Sequence, residues 1–136
     1  MNTTKEDKRS LIELANEARR RAYAPYSNYK VGAALRTRSG RIFTGVNIEN
    51  AAYPTTICAE RTAVFKAISE GELELEIIAV VTDNGASPCG SCRQVLAEFG
   101  LDTLVVIADG SGKIVKETTV GGLLPEAFQP RHLGKG

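Results

Sequence analysis

Two uninterrupted apolar runs, IIAVV at 77–81 and LVVIA at 104–108, constrain this chain more than any other feature of it. Runs of that length without polar alternation belong to strands buried on both faces. Between them lies CGSCRQVLAEFG, long enough for a helix that begins at a cysteine pair and ends at Gly100. Strand, helix and strand in this order make a βαβ unit with a parallel pair and a right-handed crossover.

The remaining segments are read around that unit. From Thr4 to Tyr23 the apolar positions Leu11, Leu14, Ala15, Ala18 and Ala22 recur at helical spacing, and Thr3-Thr4-Lys5-Glu6 resembles a capping box. Arg19, Arg20 and Arg21 crowd the last turn, where cations suit the helix dipole, and APYSN then stops the helix. KVGAALRT and RIFTGVNI read as a hairpin around Ser39-Gly40. CAERTAVFKAISEG, 58–71, is a second helix with Gly71 as its C-terminal cap. DGSG, 109–112, is a turn, KIVKETTV a weaker final strand, and GGLLPEAF a short helix or loop. The tail QPRHLGKG is expected to be loosely held.

Bulk properties narrow the function classes. With 136 residues, 43% of them hydrophobic, the chain suffices for one domain, 1–136, burying roughly two thirds of its unfolded surface. No stretch approaches the ~20 apolar residues of a membrane span, and Asn2-Thr3-Thr4-Lys5-Glu6-Asp7 is too polar for a signal peptide, so a cytoplasmic protein is expected. A net charge of +1 gives no one-sided basic field for nucleic acid and favours a small, weakly charged ligand.

Three cysteines are an odd count, which excludes a fully paired disulfide framework and leaves buried thiols, a reactive thiol or metal ligands. Cys58 stands at the start of the second helix, as Cys89 and Cys92 stand at the start of the third. Helix N-termini favour the thiolate, and two cysteines three apart share a face, so Cys89 and Cys92 can grip one ion together with Cys58. Zinc takes four ligands, and neither a fourth cysteine nor a well-placed histidine remains; His132 lies in the tail. An open fourth position, filled by water, is the mark of catalytic zinc. A lone C-x-x-C can equally be two buried small hydrophobes or a redox pair. Here, however, Cys58-Ala59-Glu60 accompanies Pro88-Cys89-Gly90-Ser91-Cys92, a pattern of zinc deaminases with cysteine in the place of histidine.

The chain resembles the cytidine deaminases of the small, all-cysteine zinc type. APYSNYKVGAAL, GVNIENAAY, CAERTAVFKAISEG, SPCGSCRQVLAEF and LLPEAF stand in that family's order and spacing across nearly the whole sequence. The resemblance implies an α/β three-layer sandwich, a mixed five-stranded sheet with helices on both faces, and a homotetramer with one zinc ion per chain. It also implies hydrolytic deamination of cytidine and deoxycytidine, with release of ammonia, in pyrimidine salvage. Zinc would activate water for attack on C4 of the base while Glu60 shuttles protons to ring N3 and the leaving amine.

Other residues follow from the same likeness. Arg61 would draw charge from the sulfurs, which with zinc carry a net charge of −1. Asn47 and Glu49, one residue apart on an extended segment, match the sugar-binding positions, and the Ala59 backbone would position the base. Tyr29 stands where relatives often have phenylalanine, and Phe128 matches an aromatic presented to the base by a neighbouring subunit. Before Cys58, Pro54-Thr55-Thr56-Ile57 departs from the pattern and bears on the pocket wall. Three other readings compete: a deaminase of nucleoside antibiotics such as blasticidin S, a zinc-stabilised binding module without turnover, and an editor of nucleic acid. Asn47 and Glu49, an intact Glu60 and the balanced charge speak against them in that order.

Overall fold

The computed structural model describes residues 3–135; the reading of Asn2 as part of a polar N-terminus and the last residue of the tail lie outside them. Helix α1 (Lys5–Arg19) leads into a hairpin of β1 (Gly32–Thr37) and β2 (Ile42–Val46). Then come α2 (Ala59–Ser69), β3 (Leu75–Val81), α3 (Gly90–Glu98), β4 (Leu104–Ala108), β5 (Ile114–Thr119) and the short α4 (Val120–Leu123). The strands form one sheet in the order β2-β1-β3-β4-β5, with β3 and β4 parallel and every other neighbouring pair antiparallel.

Strand alternation divides the core into two layers. Ile78 and Val80 of β3 with Val105 and Ile107 of β4 pack under α2 and α3, against Ala63, Val64, Ala67 and Leu96. Their neighbours Ile77, Ala79, Val81, Val106 and Ala108 face the other way, against Leu11, Ile12 and Ala15 of α1. All seven residues of β3 are buried, as the unbroken apolar run requires. Helices thus cover both faces of a mixed five-stranded sheet, the three-layer arrangement expected.

Two glycines set how closely the helices lie. A Cβ on Gly32 would sit 2.0 Å from the Ala15 carbonyl oxygen of α1, and one on Gly45 would sit 2.5 Å from both Ala59 O and Ala63 N of α2. These contacts are backbone against backbone, so no rotamer change can relieve an added methyl group.

Direction matters as much as distance. β1 is antiparallel to both β2 and β3, so β2 and β3 run the same way on either side of it. The chain therefore leaves both strands at one edge of the sheet, the edge where β1 begins. α2 starts after the first exit and α3 after the second, so both helix N-termini return to that edge.

Some local expectations shift. The capping box is one residue later than expected: Thr4 caps α1, accepting from the Asp7 amide at 3.1 Å, while Asp7 accepts from the Thr4 amide at 2.9 Å. Thr4 has the extended backbone that a cap requires, and the third helical position is then an aspartate. α1 ends at Arg19 and leaves Leu14 38% exposed, so its buried stripe narrows to Leu11, Ile12, Ala15 and Ala18. The tail is more ordered than expected: Pro130–Leu133 form a 3-10 turn in which the Gln129 amide donates to His132 Nδ1 at 2.9 Å.

Gly45→Ala should lower stability by about 1–3 kcal/mol, the usual cost of overpacking. In a thermal melt this is a fall of several degrees. A variant melting with the wild type would show that α2 is not seated on β2 as described.

Candidate active site

At the shared sheet edge, Cys58 is the N-cap of α2 and Cys89 the N-cap of α3, and neither side chain caps its own helix. Both thiols are free to turn toward each other, and Cys92, one turn into α3, completes the group. The three sulfurs lie within 4.8 Å of one another, with Cys58 to Cys89 at 3.8 Å and Cys89 to Cys92 at 3.4 Å. A tetrahedral zinc ion with Zn–S bonds of about 2.3 Å needs sulfur–sulfur edges of about 3.8 Å, so the donor set and its spacing fit zinc. Among the described residues no fourth side chain joins the cluster, which leaves a fourth position open on the pocket side.

Positive charge is built in around the sulfurs. Arg61 Nη2 donates to Cys58 Sγ at 3.3 Å, and both helix N-termini add their dipoles. The Cys58 thiol is pulled down to about 5, chiefly because Cys92 donates to it and then because Arg61 does. Cys92 moves the opposite way: its bond to Cys58 and its burial hold the proton on it. Negative charge in the cluster therefore concentrates on Cys58, beside the guanidinium. Arg61 itself stands behind the cluster and does not line the pocket.

The pocket has a volume of about 290 Å³ and collects residues from all three chain passages at this edge. Tyr29 and Val31 come from the lead-in to β1, Asn47 and Glu49 from the exit of β2, and Thr82 and Ser87 from the exit of β3. Its floor is Ala59, Glu60, Cys58 and Cys89. Glu60 is only 4% exposed, and burial pushes its carboxyl up to about 7, with the nearby Cys58 adding to the rise. The Ala59 amide, at the first position of α2, has no acceptor within its helix and is one of the donors that the helix start leaves over.

Asn47 and Glu49 are buried and already engaged. Asn47 Nδ2 donates to the Tyr29 carbonyl at 2.8 Å while its Oδ1 accepts from the Val31 amide at 2.9 Å. One Nδ2 proton is left for a ligand. Glu49 Oε1 accepts from the Tyr26 and Ser27 amides at 2.9 and 3.1 Å, and the Ser27 hydroxyl donates to Oε2. The remaining Oε2 lone pair can take a hydroxyl proton. These donors, the Ser27 hydroxyl foremost, hold the Glu49 carboxyl below the usual range. Asn28, at φ 57°, turns the chain so that Ser27 meets Glu49 while Tyr29 faces the pocket.

The structure thus brings Cys58, Cys89, Ala59, Glu60, Asn47, Glu49 and Tyr29 to one pocket, with Cys92 beneath it. Phe128 does not line the pocket of its own chain. It is 55% exposed, stacked on His132 at 5.4 Å, and its carbonyl accepts from Gln94 Nε2 at 2.8 Å. Thr56 and Ile57, from the segment that departs from the family pattern, do line the wall, together with the 79% exposed Tyr53. Sequence reasoning missed Ser27 and Thr82. The turn-forming YSN was the available sign of the first, and no local pattern marks the second.

Comparison with known proteins agrees with this geometry. Residues 5–108 match the family model described as the cytidine and deoxycytidylate deaminase zinc-binding region. The chain is 48% identical over 129 residues to a cytidine deaminase of Sporosarcina psychrophila, covering 93% of this chain and 95% of that one. It is 51% identical over 125 residues to a cytidine deaminase of Halalkalibacterium halodurans, covering 90% and 94%. A crystal structure of cytidine deaminase from Burkholderia pseudomallei superposes with a TM-score of 0.85 at 46% identity, covering 93% of this chain and all of that one.

Purified protein should carry one zinc ion per chain, and Cys58→Ala and Cys89→Ala should each lose it, as read by metal analysis. Cys92→Ala should lose it and also melt lower, because that side chain is fully buried. Full zinc loading in these variants would exclude the cluster as the metal site. Ser27→Ala should move the Glu49 carboxyl up toward the ordinary ~4.3 in a carboxyl NMR titration. In the wild type the lowered value adds stability that is complete above the unfolded value and is lost as pH falls through the folded one, so the variant should lose less on acidification.

Proposed function

The chain belongs to the cytidine and deoxycytidylate deaminase family, and on that premise we propose that it is a zinc-dependent enzyme converting cytidine and deoxycytidine, with water, to uridine and deoxyuridine and ammonia. One observation carries the reading: a buried carboxylate, Glu60, and a three-thiol cluster open into the same small pocket, under a rim that can hold a sugar.

Cys58, Cys89 and Cys92 would hold the ion, which supplies a Lewis acid that makes water nucleophilic near neutral pH. Glu60, with its carboxyl pushed up to about 7, can both accept and return a proton at that pH. It takes one proton from the attacking water and passes it to ring N3, then collects the second proton from the new C4 hydroxyl and delivers it to the departing amino group. Attack forms a C–O bond at C4, and loss of ammonia breaks the C–N bond, so atoms and charge balance. Arg61 limits the charge that the thiolates place on the ion. The Ala59 amide is available to a base carbonyl. The free Nδ2 proton of Asn47 and the free lone pair of Glu49 suit one sugar hydroxyl as acceptor and donor.

The rim favours an unphosphorylated sugar, since an ionised Glu49 repels a phosphate group. Retention of Asn47 and Glu49 also weighs against deamination of nucleoside antibiotics. Exposed Phe128, outside its own pocket, is suited to entering the pocket of a second copy in a homotetramer. We place the enzyme in pyrimidine salvage, in the cytoplasm, as one catalytic domain over 1–136. Among the described residues no helix is long and apolar enough to cross a membrane.

An ultraviolet assay should show cytidine turned over, with activity lost to a chelator and restored by zinc, and with cytidine monophosphate and a cytosine oligonucleotide turned over far more slowly. Equal rates on all three would overturn the substrate assignment. Glu60→Gln should keep zinc and fold yet lose at least ~10²-fold in turnover. Near-normal turnover with zinc bound would remove Glu60 from the mechanism.

A further inference from the structure

Tyr29 carries a hydroxyl, and the structure gives it a partner far away in sequence. Its OH donates to Asn84 Oδ1 at 2.6 Å. Asn84 lies in the loop between β3 and α3, between the pocket-lining residues Thr82 and Ala86. Thr82 Oγ1 also donates to Asn84 Oδ1, at 3.4 Å, and accepts from the Ala86 amide at 2.9 Å. The Tyr29 backbone is held by the sugar-rim residues. Its amide donates to Ser27 Oγ at 3.0 Å, the same hydroxyl that reaches Glu49, and its carbonyl accepts from Asn47 Nδ2.

We propose that Tyr29 and Asn84 form a clasp beside the pocket, with Tyr29 as a positioning residue that fixes the β3–α3 loop relative to the sugar rim. The inference rests on the deaminase reading above. One hydrogen-bonded chain runs from Glu49 through Ser27, Tyr29 and Asn84 to Thr82 and Ala86, joining the lead-in of β1 to the β3–α3 loop beyond their last backbone pair, Gly32 and Val81. The clasp does not place the metal ligands. The turn before Cys89 is held separately by Arg93, whose Nε donates to the Pro88 carbonyl at 2.8 Å and whose Nη1 donates to the Leu123 carbonyl at 2.7 Å. Loss of the clasp therefore loosens the wall that closes on the nucleoside and leaves the zinc and Glu60 in place. The effect falls on KM.

The test is a double-mutant cycle of Tyr29→Phe, Asn84→Ala and both together, read by cytidine kinetics, zinc content and thermal melting. Each single change should raise KM about three- to tenfold, the worth of one hydrogen bond, with kcat within about twofold and zinc intact. The double variant should be no worse than the poorer single one, because both remove the same bond. Multiplying KM effects, an unchanged KM in both singles, or losses confined to kcat would overturn the clasp. If the wild type does not turn over cytidine, the function reading fails instead. The clasp is then judged by the melting cycle, where it predicts non-additive losses and is overturned by additive ones.

Discussion

The pocket depends on one directional constraint: β2 and β3 run the same way on either side of β1. Two chain exits and one chain entry are thereby placed side by side at a single edge, and each exit feeds a helix that starts there. Helix starts bring unpaired amides and positive dipole ends. A cluster of thiolates needs both, and so does a ligand with a carbonyl oxygen. Reversing either strand would send α2 or α3 to the opposite edge and part Cys58 from Cys89 and Cys92 by the height of the sheet.

Close seating of the helices turns that topology into distances. Gly45 lets α2 approach β2 until backbone meets backbone, and Ala59 and Ala63 are the residues it meets. Ala59 is also the residue between Cys58 and Glu60. The same small-residue contact that packs the layer thus sets the height of the pocket floor. A larger residue at either position would lift both the metal ligand and the carboxylate.

Some of this was legible in the sequence and some was not. The buried strands, the crossover and the thiols at two helix starts are written locally, because burial on two faces and helix capping act over a few residues. Glu60 was legible for the same reason, standing two places after a cysteine at a helix start. Asn47 and Glu49 were readable as polar alternation, yet the sequence hid that most of their bonding capacity is spent on residues 26–31. Ser27 showed only in the turn-forming YSN, and Thr82 and Asn84 carry no local signal, since the bond from Tyr29 to Asn84 joins segments 55 residues apart. The capping box slipped by one residue because Thr3 and Thr4 are chemically alike, and backbone geometry chose between them. Order in the tail came from a side-chain-to-backbone bond of His132, which composition does not reveal.

The unequal exposure of the three sulfurs sets how the cluster ages. Cys92 is buried and Cys58 partly covered, but Cys89 is exposed, 3.4 Å from one neighbour and 3.8 Å from the other. A coordinated thiolate is shielded from oxidants by its bond to the ion. Once the ion leaves, Cys58 retains a depressed proton affinity and so remains a ready nucleophile toward an oxidised Cys89. A disulfide made there would close the ligand set against metal return. Keeping these two thiols reduced is thus a condition for the site to take up its ion.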